Sequence, residues 1–209
     1  DTPAVLDINT FRKIPWENDL PFFLADFSNE KNAGAVCPRT LLKKVRQQAS
    51  KAGYIPYFSQ EFEWFNFIDN REELYKTGFR NPQPMTPGMF GYSVLRASQE
   101  GNYFHELFDS LKKMNVPLEG IHTETGPGVY EAAMLYSEIL EAADRAVIFK
   151  SSVKEIAHRH GIIASFMAKW NEDLPGCSGH VHQSLWSANG KDNLFFDKKN
   201  KTGISSLME

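Results

Sequence analysis

The sequence is poor in cysteine, in excess charge and in long apolar runs. Its 209 residues hold two cysteines, Cys37 and Cys177, which make neither a metal-ligand spacing nor a disulfide framework. A reducing, cytoplasmic compartment is the expectation. No apolar stretch approaches the roughly 18 residues of a membrane span, so no membrane association is expected. The formal net charge is -3, and the 23 Lys and Arg residues are spread along the chain, so no field recruits nucleic acid. There is no G-x-x-x-x-G-K-[ST] loop, so a nucleotide, where one binds, is not held by a P-loop. A G-x-S-x-G elbow is absent and neither cysteine has a persuasive partner beside it, which argues against covalent catalysis. The opening Asp1-Thr2-Pro3 has no initiator Met and no leader pattern, and the last residues stop where an amphipathic pattern (Ile204, Leu207, Met208) begins. The chain is expected to be a fragment of a longer protein.

What is present is a composition able to form a core, 42% hydrophobic and 13% aromatic. The first thirty-odd residues suggest a strand, Pro21 to Phe27, and loops. Pro38 opens an amphipathic helix with apolar Leu41, Leu42, Val45 and Ala49, which Gly53 stops. YIPYFSQEFEWFNF reads as a strand, and the turn formers between residues 70 and 91 as a long loop. Phe104, Leu107, Phe108, Leu111 and Met114 fall at helical spacing, followed by a strand from Leu118 to Glu124. After a Gly-Pro-Gly turn, the spacing predicts one long helix from about Tyr130 to His160, ended by His158, Arg159, His160 and Gly161. IIASFMAKW and SGHVHQSLW read as further strands. Strands with hairpin-like returns interleaved with helices give an α+β fold.

The chemistry starts in Gln60-Glu61-Phe62-Glu63-Trp64-Phe65-Asn66-Phe67. Strand alternation puts Glu61 and Glu63 on one face, roughly 6.6 Å apart, with Phe62 and Trp64 on the other. Two carboxylates at that separation repel by roughly 2–3 kcal/mol at an effective dielectric near 20. Either the acidic face lies in water on an edge strand, or raised pKa values, basic partners or a cation compensate. A second acidic pair, Glu124 and Glu131, flanks the Gly-Pro-Gly turn, with Glu131 expected in the first turn of the long helix, where the helix dipole alone would favour it. Glu124 has no such local reason. His180, His182 and Ser184 alternate with Val181, Gln183 and Leu185 and so share one strand face. Four carboxylates and an imidazole at strand ends suit Mg²⁺ or Mn²⁺, two ions being favoured over one, and such sites serve phosphoryl transfer.

EFEWF, HTETGPGVYE, AHRHGIIASFMAKW and SGHVHQSLW, in this order, resemble the catalytic domain of class I glutamine synthetases. The resemblance runs essentially the whole chain. It implies a mainly antiparallel curved sheet with flanking helices, truncated here, and a boundary at DINTFRKIPW: residues 1–20 would end an N-terminal β-grasp domain and linker, and residues 21–209 would begin the catalytic domain. It also implies ATP-dependent condensation of L-glutamate with ammonia through γ-glutamyl phosphate, two Mg²⁺ or Mn²⁺ ions per site, and a homo-oligomer of stacked rings, a dodecamer. Glu63, Glu124 and Glu131 match ligands of the ion nearer glutamate and ammonia, and Glu61 and His180 those of the phosphate-side ion. His182, Ser184 and Glu119 match nucleotide-side positions. Tyr92 resembles the tyrosine lining the ammonium pocket, and Gly176 belongs to a loop against the glutamate substrate.

The sequence departs from the family pattern at two places: Val129 replaces an amide after the turn, and Pro175-Gly176 replaces Asn-Gly. The second change resembles the branch with γ-glutamylpolyamine synthetases, so a γ-glutamyl-amine ligase is the alternative. A non-catalytic, lengsin-like structural oligomer is another, against which the retained acids argue. A guanidino kinase would need an arginine-rich nucleotide site that the sequence does not contain. Because the family's remaining glutamate and arginine ligands come from elsewhere in the whole protein, the 209 residues alone are expected to be inactive.

Overall fold

The computed structural model describes residues 2–28 and 35–209; the loop expected around residue 30 lies outside the described residues. At the N-terminus, β1 (Ala4–Ile14) and β2 (Leu20–Phe27) pair antiparallel. The division expected at residue 20 falls at the turn of this hairpin. Helix α1 (Pro38–Lys51) starts where Cys37 takes the cap position and Pro38 the first turn, and ends before Gly53, whose φ of 86° suits glycine.

The central element is β3 (Tyr54–Ile68), 15 residues long. One of its edges pairs with β5 (Val129–Met134) through residues 61–65 and with the short β6 (Ser137–Glu138) through residues 57–58. The opposite edge pairs with β7 (Ile162–Ser165) and β8 (Gly179–Ser187). β4 (Leu118–Thr123) adds to the far side of β5, completing an antiparallel six-stranded sheet. Two short helices, α2 (Arg71–Lys76) and α3 (Val94–Gln99), precede α4 (Gly101–Lys113). The long helix α5 (Ile139–Arg159) follows β6.

The two faces of β3 have different fates, as its alternation requires. Phe62 and Trp64 turn toward α4 and α5, where Trp64, Tyr130, Leu107, Leu111, Phe149 and Val153 form the buried core. The Phe62 and Phe149 rings stack at 5.7 Å, and Trp64 meets Phe149 edge-on at the same distance. Glu61 and Glu63 occupy the other face. An ionic cluster ties the hairpin down: Arg39 of α1 binds Asp144 of α5 at 2.8 Å and Asp7 of β1 at 2.9 Å, and also reaches Asp26 of β2. Lys43 bridges Asp7 and Asp26.

The structure corrects three expectations. The helix expected from Tyr130 begins only at Ile139, so Glu131 lies in strand β5 and not in a first helical turn. Tyr130, Glu131, Ala132, Ala133 and Met134 are built largely from good helix formers, but a segment hydrogen-bonded to β3 on one side and β4 on the other gains more from the ladder and from burial than propensity costs. The loop between residues 70 and 91 contains α2, capped by the Asn70 side chain. The strand read in IIASFMAKW covers only Ile162–Ser165, and the remainder turns away to meet the segment around Cys177.

Candidate active site

The acidic residues meet because four strands present them in register. Glu63 of β3 pairs with Glu131 of β5, which pairs with His122 of β4, forming a row across three strands. One pleat along β3, Glu61 faces His180 of β8. Directly opposed side chains have Cβ atoms about 4.5–5.5 Å apart, so sheet geometry forces these acids together.

The turn between β4 and β5 aims the row. Gly128 adopts φ 70°, and a Cβ there would stand 2.5 Å from the Asn66 carbonyl oxygen. The buried Asn66 holds the turn by donating its side-chain nitrogen to the Gly128 carbonyl at 3.1 Å, while its oxygen accepts from the Trp64 indole at 2.9 Å and the Tyr103 hydroxyl at 3.2 Å. The core behind the sheet thereby fixes the loop in front of it. Just before the turn, the Glu124 carboxylate accepts from the Thr125 backbone at 2.9 Å.

Two groups of donor atoms result, each spanning no more than 4.8 Å: Glu61, Glu131 and His180, and His122, Glu124 and Glu131. Glu131 belongs to both. Ligands at about 2.0–2.1 Å around an octahedral ion lie about 3–4.2 Å from one another, so each group fits a small divalent cation after a modest contraction. Carboxylates with one imidazole suit Mg²⁺ or Mn²⁺. Glu63 is tied differently, accepting from the Ser178 backbone nitrogen at 3.0 Å and hydroxyl at 2.9 Å. This fastens the loop of residues 176–179 to the acidic row. The same loop needs glycine, since a Cβ on Gly176 would lie 2.5 Å from the Ala168 carbonyl oxygen.

Electrostatics separates the acids. Glu131 is 8% exposed, and burial first, reinforced by Glu61, Glu63 and Glu124 against the pull of His122, raises its pKa. Glu61 is lowered, chiefly by its hydrogen bond to His182 at 3.1 Å and also by His180 at the same distance. Two neighbouring carboxylates pushed in opposite directions mark a site arranged for charge. Burial pushes the Cys177 thiol up to about 12, so it is no nucleophile.

Tyr92 and His122 close one end, their rings 4.8 Å apart. Tyr92 holds the left-handed φ of 57°, strained for an aromatic residue, and its backbone nitrogen donates to the Thr123 carbonyl at 2.7 Å. A hydrogen bond to Glu124 raises the Tyr92 phenol. At the other end, Tyr57, Ser59, Glu61, Glu119, His182 and Ser184 line a pocket of about 300 Å³. Glu119 reaches it through a β-bulge, because Leu118 pairs with Met134 and Gly120 with Ala133, leaving Glu119 as the extra residue.

All ten residues singled out from the sequence thus lie on this face or its rims. Sequence reasoning missed His122, although His122 and Glu124 stand two apart around a strand end and so carry the same period-two signal as His180 and His182. It also missed Ser178 and Asn66, whose roles depend on partners distant in the chain.

Residues 35–209 match the glutamine synthetase catalytic-domain family. The chain belongs to that family. Among curated relatives it is 47% identical to type-1 glutamine synthetase 2 of Dictyostelium discoideum, over all of this chain and 40% of the relative. It is 31% identical to a glutamate–isopropylamine ligase of a Pseudomonas species, over 99% of this chain and 45% of that one. The ligand-free structure of GmaS superposes with a TM-score of 0.85 at 26% identity, covering 98% of this chain and 47% of that one. The chain therefore spans less than half the length of these glutamine synthetase-type proteins. The antiparallel sheet with flanking helices is the glutamine synthetase fold expected from the sequence.

Proposed function

We propose that the full-length protein is an ATP-dependent ligase that joins the γ-carboxylate of L-glutamate to ammonia through γ-glutamyl phosphate. The observation that carries this reading is the convergence of Glu61, Glu131, His180, Glu124 and His122 into two donor groups sharing one carboxylate, in a chain whose relatives are named as a glutamine synthetase and a glutamate–isopropylamine ligase. Glu61, Glu131 and His180 would hold one Mg²⁺ or Mn²⁺ ion and His122, Glu124 and Glu131 the other, with Glu63 completing the set when the Ser178 contact yields. Bound there, the ions would supply positive charge to the phosphoryl oxygens and neutralise the acids.

The chain's own residues divide the remaining work. The pocket beside Glu119, His182 and Ser184 takes ATP, with Tyr57 and Tyr136, whose rings lie 6.0 Å apart, offering apolar surface to the base. The Gly176 loop, held by Ser178 to Glu63, lies against glutamate. The Tyr92 phenol oxygen accepts a hydrogen bond from the ammonium ion, and the Glu124 carboxylate beside it takes the proton that the nitrogen loses before it attacks. The whole protein works in the cytoplasm as a homo-oligomer of stacked rings, a dodecamer, with residues 1–20 closing a preceding β-grasp domain.

The test is Mn²⁺ titration calorimetry on the full-length protein and its Glu61→Gln variant, followed by ATP titration with and without the metal. Two ions per subunit in the wild type, weakened at least tenfold in the variant, with ATP binding dependent on metal, is the expected outcome. No ion binding in the wild type refutes the ligase and leaves a ring-forming structural protein as the better account.

A further inference from the structure

Of Glu61, Glu63, Glu124 and Glu131, only Glu63 belongs to neither donor group, and the backbone is not what keeps it out. It stands directly across from Glu131, where Cβ atoms lie about 4.5–5.5 Å apart. The side chain has turned toward the loop before β8 instead. Its Oε2 accepts from the Ser178 backbone nitrogen at 3.0 Å and its Oε1 from the Ser178 hydroxyl at 2.9 Å, so one residue engages both oxygens. A carboxylate this close to Glu131 gains by turning from like charge to two donors. A divalent cation at the row reverses that preference, because it replaces the repulsion by attraction. On the loop side, the Cys177 backbone nitrogen donates to the Ala168 carbonyl at 2.8 Å, and the Ser178 carbonyl accepts from the Glu63 backbone nitrogen at 3.2 Å. Those two anchors are backbone to backbone. The two on the Glu63 carboxylate are the ones that rotation of a single side chain breaks, and the Ser178 hydroxyl has no other partner among the described residues.

We propose that Ser178 is a latch for Glu63, so that cation occupancy controls the loop of residues 176–179. With Glu63 on Ser178, the loop is pinned to the acidic row. With Glu63 on a divalent cation, both carboxylate contacts are given up and the loop is freed at the place where glutamate would lie. The proposal rests on the ligase reading and adds an order to it, cation before glutamate. Ser178 is a positioning residue, since it reaches the cation only through Glu63. The exchange requires no shift of β3 or β5, whose register already sets Glu63 opposite Glu131; a change of side-chain rotamer is enough. It also makes the hydroxyl a competitor of the cation. A serine that merely propped Glu63 in its ligating position would aid cation binding, whereas a latch opposes it. Removing the hydroxyl therefore has opposite signs under the two accounts.

The experiment uses the full-length protein and two readouts that need no turnover. Mn²⁺ titration calorimetry on the wild type, Ser178→Ala and Ser178→Thr reads the competition. Loss of the hydroxyl contact should tighten binding of one ion roughly three- to tenfold in Ser178→Ala, while Ser178→Thr, which keeps a hydroxyl, should stay at the wild-type affinity. Hydrogen–deuterium exchange at the Ser178 amide, located by mass spectrometry, reads the latch in the wild type. That amide donates to Glu63; it should be protected in EDTA and exchange at least about tenfold faster in saturating Mg²⁺. Weaker or unchanged Mn²⁺ binding in a folded Ser178→Ala protein overturns the inference, as does an amide that Mg²⁺ leaves as slow or makes slower. If Ser178→Ala does not fold, exchange in the wild type decides. Mn²⁺ binding by the wild type with the amide unmoved overturns this inference alone. No Mn²⁺ binding at all overturns the ligase reading with it.

Discussion

Replacing Glu131 by Gln should make the metal-free protein more stable and the metal-loaded protein less so. Glu131 stands directly across from Glu63, with Cβ atoms about 5 Å apart. Two charges at about that separation repel by about 3 kcal/mol at an effective dielectric near 20, and burial and the neighbouring acids raise the Glu131 pKa. Removing the charge while keeping the shape therefore gains about 2–3 kcal/mol in the presence of a chelator, or about 4–12 °C in melting temperature for a chain of this size. With Mn²⁺ at 100 times its Kd the wild type gains about 2.7 kcal/mol per site. A variant binding a hundredfold more weakly gains about 0.4 kcal/mol at the same concentration. Differential scanning calorimetry of both proteins, in EDTA and in MnCl₂, reads the two shifts. A variant less stable than the wild type in EDTA, or one that Mn²⁺ stabilises as much as the wild type, refutes the account of Glu131 as a repelled, shared ligand.

Arg39→Gln should cost about 3–5 kcal/mol at pH 7, because it strips the guanidinium from Asp7, Asp26 and Asp144 in a poorly exposed cluster, and urea unfolding measures the loss. Arg39 first and Lys43 second hold the Asp7 carboxyl well below its usual 3.8, so the stability it contributes is complete above that value and is lost as pH falls through the folded-state value; the gap between wild type and variant should shrink below about pH 4, and a gap independent of pH would count against the cluster. Gly128→Ala should lower stability by at least about 1–2 kcal/mol from its left-handed φ alone, with more from the clash on the Asn66 carbonyl. It should also weaken Mn²⁺ binding, since the turn carries Glu124 and Glu131, and unchanged binding would show that the turn does not aim the acids.

Much of this was written locally. The alternation of EFEWF sorts two acids from two aromatics whatever surrounds them, and His180-Val181-His182 does the same on β8, so both strands and the faces of their polar residues were legible. Strand β5 was not: Tyr130 to Met134 is buried on both faces, and without exposed positions the period-two signal vanishes and helix-forming composition prevails. Glu119 enters the nucleotide-side pocket through a bulge that no residue pattern announces. Asn66 reads as one polar residue in an aromatic strand, and only its contacts with Gly128, Trp64 and Tyr103 reveal it as the link between core and turn.

The length and position of β3 bear on how the chain reaches its folded state. It is complete at residue 68, yet the strands that cover its edges come from residues 129–187, and Glu61 waits 119 residues for His180. Contacts so distant in sequence close slowly. Until they do, a 15-residue strand rich in tyrosine and phenylalanine has two bare edges, the condition under which chains pair with copies of themselves. Glu61 and Glu63 interrupt that stretch with charges that repel their counterparts in any neighbouring copy aligned in parallel register. The acids whose mutual repulsion burdens the finished site thus protect the unfinished chain, so their replacement by neutral residues would ease the native state and endanger the route to it.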